Sequence, residues 1–156
     1  MKNWGIYILA ALGFVAYDAM TSADRDDSGA IVAGGSVDAF NVRVGDCFDD
    51  SSSFDDEISS LPGVPCADPH DNEAYAVFDV GVTDYPGDVE METLAYDSCM
   101  GRFDSFVGTD YESSSLDVFT MFPSPESWKQ DDRQVVCAVY HMDYDKLEGT
   151  MKGTAF

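Results

Sequence analysis

The sequence predicts an α+β protein: an N-terminal single transmembrane helix, then a small disulfide-bonded domain with an antiparallel sheet and one main helix. Three observations carry this expectation. The chain opens with a nearly unbroken apolar run from Trp4 to Tyr17. Four widely spaced cysteines, Cys47, Cys66, Cys99 and Cys137, punctuate the remainder. Between them, segments of period 2 and period 3.6 follow in the order β–β–α–β–β, which gives one helix laid on an antiparallel sheet.

The apolar run alone is short. From Trp4 to Tyr17 it covers about 21 Å at 1.5 Å per helical residue, against a hydrocarbon core of roughly 30 Å. Extending the helix over residues 1–23 closes the gap and leaves Asp18 near the outer boundary, where a carboxylate reaches interfacial water at low cost. Trp4 and Tyr17 then sit where belt aromatics sit, and Lys2 with the amino terminus supplies a positive inner flank. The expected topology is N-terminus cytoplasmic and C-terminal domain extracytoplasmic. A cleavable signal peptide is the competitor, with Thr21-Ser22-Ala23 as its cleavage site, but the positive n-region is thin. Ala10, Gly13 and Ala16 lie at i, i+3 and i+6, a small-residue stripe suited to close approach by a partner helix.

Residues 24–39 are acidic and Gly/Ser-rich without periodicity and read as a flexible linker. The domain is therefore expected at 40–156. Phe40–Phe48 alternates and reads as a strand ending near Cys47, and Asp49–Pro65 reads as polar loop. Glu73–Val82, rich in aromatic and β-branched residues, reads as a central strand. In Val89–Gly108, Leu94, Met100, Phe103 and Val107 recur at helical spacing, with Gly108 as the C-cap. Ser115–Phe122 and Val135–Met142 read as strands, with Ser124 and Pro125 as N-cap and N1 of a helical turn between them. Gly149–Phe156 reads as an edge element.

The formal charge of −22 argues against nucleic acid and against anionic lipid surfaces, since both repel it. Such a surface keeps a domain soluble and steers cations or basic partners towards it. No C-x-x-C occurs, which removes thioredoxin-like and zinc-ribbon readings. Outside the cytoplasm, two disulfides are expected. Three pairings are open, and Cys47–Cys66 with Cys99–Cys137 close the shorter loops.

Several phrases share an order that composition does not supply: "GDCFD" (45–49), "VPCADPHDNEAYAVFD" (64–79), "CMGRFDSFVG" (99–108) and "FPSPESWKQDDRQVVCAV" (122–139). Together they resemble the septum-formation family of actinobacterial envelope proteins. The likeness includes all four cysteines, Pro69-His70, Glu73 and Trp128, over about residues 44–140. The resemblance implies a secreted or membrane-anchored extracytoplasmic module and supplies no catalytic residues.

Candidate chemistry is sparse. His70 and Glu73 could pair as base and orienter, or bind a metal with Asp68 and Asp71, and Cys66 with His70 could form a zinc site. The simpler alternative, a histidine that closes the turn after Cys66, is favoured. His141, Asp143 and Asp145 alternate and could share a cation, although a hydrated edge is favoured. Ser124 and Ser127 lack a partnered histidine, and Trp128 reads as a core plug. No phosphate loop, dinucleotide fingerprint or haem motif occurs. The expectation is a non-enzymatic protein without cofactor or metal that binds no nucleic acid. It serves as an accessory subunit of an integral-membrane assembly, with an actinobacterial respiratory (cytochrome) complex as the leading host. The alternative is a free-standing envelope module that binds a cell-division or cell-wall partner.

Overall fold

In the computed structural model, residues 22–50 and 57–156 are described throughout, together with the backbone of residues 6–8. The strands are β1 (Ile6–Ile8), β2 (Asp24–Arg25), β3 (Ile31–Ala33), β4 (Gly35–Asp38), β5 (Cys47–Phe48), β6 (Glu57–Ile58), β7 (Ser60–Val64), β8 (Asn72–Asp79), β9 (Leu116–Pro123) and β10 (Gln134–His141). Helix α1 spans Asp88–Val107 and the single turn α2 spans Pro125–Trp128.

The centre is the antiparallel trio β8–β10–β9. Each of these strands turns alternate residues to opposite faces, as a period of 2 requires. Val135, Cys137 and Val139 of β10, with Leu116, Val118 and Phe122 of β9, join α1 in one core. Val136, Ala138 and Tyr140, with Phe119 and Met121, face a second core completed by Phe48, Ile58 and Leu61. Burial on both faces explains why β10 reads as a near-continuous apolar run.

The second core lies inside a closed ring of strands. The order β7-β5-β8-β10-β9-β1-β6 runs across the sheet. Only Ser59 separates β6 from β7, so the last strand is the chain continuation of the first. β1 is the stave that completes this ring. It lies parallel to β9 (Ile6↔Met121, Tyr7↔Phe122, Ile8↔Pro123) and to β6 (Tyr7↔Glu57, Ile8↔Ile58). β4 covers the rest of that edge, pairing Gly35–Asp38 with Ser60–Gly63 of β7.

Helix α1 follows its sequence signals: Gly108 is left-handed and its N–H bonds the carbonyl of Asp104. Its buried stripe is Met91, Ala95, Cys99, Phe103, Phe106 and Val107. Leu94 and Met100 are only partly buried, so the core-facing stripe sits to one side of the expected one. The disulfides are Cys47–Cys66 and Cys99–Cys137, the shorter-loop pairing, and the second ties α1 to β10.

Several expectations are corrected. Residues 24–39 are part of the fold, not a flexible linker, with Ile31, Val37 and Ala39 buried. Arg25 makes a two-pronged ion pair to buried Asp46 at 2.6 and 2.7 Å. Phe40–Phe48 is a strand only at its end, because Ala39–Asn41 form a 3-10 turn capped by Asp38. The 49–65 loop contains β6 and β7. Gly149–Phe156 forms no strand; its backbone caps α1 through Gly153 N–H to Phe106 O and Ala155 N–H to Val107 O.

Among the described residues no helix is long and apolar enough to cross a membrane. Of the span 1–23, Ile6–Ile8 are extended rather than helical. Trp4, Ala10, Gly13, Ala16 and Asp18 lie outside the described residues.

Candidate functional site

Two neighbourhoods concentrate polar side chains, and they share the turn between Cys66 and β8. In the first, His70 and Glu73 do not pair. His70 is fully buried and its Nδ1 lies 2.8 Å from the carbonyl of Asp68. A carbonyl only accepts, so Nδ1 is the donor in this contact. Nε2 is buried and has no hydrogen-bond partner among the described residues. A general base must reach a substrate proton, and an occluded nitrogen does not.

The backbone of His70 pairs reciprocally with Leu147 at 3.0 and 2.8 Å. Glu73, also buried, accepts from the Thr150 hydroxyl and the Met151 amide. Both residues therefore strap the C-terminal segment to the disulfide turn, a contact 77 and 78 residues along the chain for Glu73. Among the described residues, one grouping has metal-ligand types in range: Cys47, Cys66 and Glu73. Its two sulfurs are bonded to each other, so they are not thiolate ligands. The same bond removes Cys66 from the zinc set proposed with His70.

The second neighbourhood is an open cleft lined by Asp50, Asp71, Tyr140, His141, Tyr144 and Asp145. Tyr140 and Tyr144 stack with centroids 5.7 Å apart. Lys146 spans Asp49 and Asp71 at 2.7 and 3.0 Å, and these carboxylates hold its ammonium pKa above the ordinary lysine value against the opposing effect of desolvation. His141 and Asp145 meet here, but Asp143 does not line the cleft. β10 ends at His141, so the three do not share a strand face; the Asp143 N–H instead turns back to His141 Nδ1 at 3.1 Å.

The serines and Trp128 belong to the scaffold. Ser124 and Ser127 form a reciprocal capping box, and the Ser127 hydroxyl also donates to buried Asp132 at 2.8 Å. Trp128 is buried, edge-on to Tyr85 at 5.6 Å, with the Arg133 guanidinium 3.6 Å from its ring centroid.

The Asp46-Cys47 turn, the Cys66–Glu73 turn, Cys99 on the helix and the capped turn before Cys137 all lie within a stretch that a family model matches. The model described as septum formation covers residues 31–154. The chain belongs to the septum formation family. No match was found among curated proteins or among solved structures.

In this septum-formation domain the matched region begins at Ile31, inside the segment that composition presented as linker. Sequence reasoning missed Arg25 and Asp46 as an anchor, and missed Asp50, Tyr140, Tyr144 and Lys146 around the cleft. The Gly-Asp-Cys phrase held the signal for Asp46. For the cleft the sequence pointed only to His141 with Asp145 and, separately, to Asp71, because its residues come from three distant stretches.

Proposed function

We propose that this protein is a non-catalytic accessory subunit, anchored in the membrane by its N-terminal segment, with its domain on the outer face of an integral-membrane assembly. An actinobacterial respiratory (cytochrome) complex is the leading host. The observation that carries the reading is how Glu73, Asp46 and Ser127 are used. These buried polar groups hold the C-terminal strap, the Arg25 anchor and the α2 cap. Two disulfides suit an oxidising, extracytoplasmic compartment. The apolar run through Tyr17 supplies the anchor, and the strong negative charge points to protein or lipid-free surfaces rather than nucleic acid.

Detergent extraction and pull-down of the tagged full chain tests this. Stoichiometric recovery of integral-membrane subunits is the expected result, and reproducible recovery of the protein alone overturns it. Asp18→Ala should loosen that assembly without lowering the stability of the domain. The cleft beside Tyr144 favours a second reading, a free-standing envelope module that binds a cell-division or cell-wall partner there. Replacing residues 1–23 by an unrelated anchor separates the two: retained function supports the module, and lost function supports the subunit.

A further inference from the structure

The barrel is closed by the least expected strand. Among the described residues β9 and β6 are joined only through β1, which makes parallel ladders on both sides. Every other pairing within the large sheet is antiparallel. A parallel stave with no short connection to either neighbour is an added strand in the geometric sense, like a peptide laid into a sheet edge. Its neighbours offer an apolar lining, since Met121 of β9 and Ile58 of β6 are both buried in the barrel core. Pro123, at the end of β9, stands where a missing amide costs least.

The residues of this stave also lie near the start of the apolar run from Trp4 to Tyr17. An extended strand and a membrane-spanning helix are exclusive backbone states for Ile6–Ile8. We propose that Ile6–Ile8 are a removable stave. When the N-terminal segment enters a bilayer, β1 leaves the barrel and opens between β9 and β6 a slot. That slot takes one extended apolar strand of a partner subunit, in parallel. This inference rests on the anchoring reading above. It gives the accessory subunit a docking mode that is switched on by membrane insertion. Withdrawal exposes backbone groups of β9 and β6, and a closed sheet edge left open in this way is a template for another strand.

Hydrogen exchange on the full chain tests the idea, with flotation on phosphatidylcholine vesicles run in parallel. In vesicle-free buffer, Tyr7→Pro removes a ladder amide, and exchange at 57–58 and 116–123 should rise by about tenfold or more while 134–141 stays protected. Unchanged exchange at those edges overturns the stave. On vesicles the unaltered chain should show the same rise. A synthetic peptide of residues 3–10 should reverse it, whereas the peptide with Tyr7→Pro should not. Flotation without loosened edges overturns the switch and leaves the anchoring reading intact. Absence of flotation overturns the anchoring reading and the switch together, and leaves the stave to the Tyr7→Pro result. Loosened edges that the peptide does not reverse overturn the strand-accepting slot.

Discussion

At the scale of single residues, Glu73 does the most for the fold. Its carboxylate is buried and takes both the Met151 amide and the Thr150 hydroxyl. Glu73→Gln puts an NH2 where two donors converge. It should cost about 1–3 kcal/mol, read as a lower urea midpoint at unchanged slope. Two phenols give a pH prediction. Burial, first, pushes the hydroxyls of Tyr75 and Tyr111 above the ordinary tyrosine range, and Asp117, which accepts from Tyr111 at 2.7 Å, pushes the latter further. The folded state therefore favours the protonated phenols. Their contribution is present in full below the unfolded value of about 10 and is lost as pH rises above it. Absorbance at 295 nm should show these two tyrosines ionising only as the chain unfolds. Ionisation of all eight tyrosines in one ordinary step near pH 10, with the fold intact, would contradict this.

At the scale of elements, the two disulfides should part company under mild reduction. Cys99 and Cys137 are fully buried between α1 and β10, whereas Cys66 is partly exposed and Cys47 buried. Thiol exchange needs access to a sulfur, so Cys47–Cys66 should open first. Alkylation and mass mapping of natively reduced protein reads the order. If the Cys99 and Cys137 labels appear first, the helix leaves the sheet more readily than its packing implies. By loop-closure entropy the bridges stabilise by about 3 and 4 kcal/mol for separations of 19 and 38 residues. These elements also show what the sequence could disclose. Helix α1 and the Ser124-Pro125 cap were legible because their determinants lie within a few residues of one another. Strand β7 was hidden by Pro62 and Gly63, which read as turn residues but here fit an edge pairing with β4. Residues 24–39 looked unstructured because their three buried side chains are spaced by small and acidic ones. The Glu73 strap and the cleft depend on long-range closure, which periodicity does not record.

At the scale of the whole molecule, a charge of −22 on 156 residues is self-repelling. Four ion pairs to described carboxylates, from Arg25, Lys129 and Lys146, offset little of it, and two of the three cations are well exposed. Raising sodium chloride from about 0.05 to 0.5 M shortens the screening length severalfold and should raise the melting temperature. A melting temperature that is flat or falls with salt would show that attractive pairs dominate instead. The same global view separates two mechanical halves. The Cys99–Cys137 bond pins α1 to the strand that both cores share, so under oxidising conditions the helical side behaves as a fixed plate. The barrel side has no covalent tie across β9, β1 and β6. Withdrawal of the proposed stave would therefore deform one side alone: like a purse, the molecule is sewn along the helix and carries an unsewn seam beside β9.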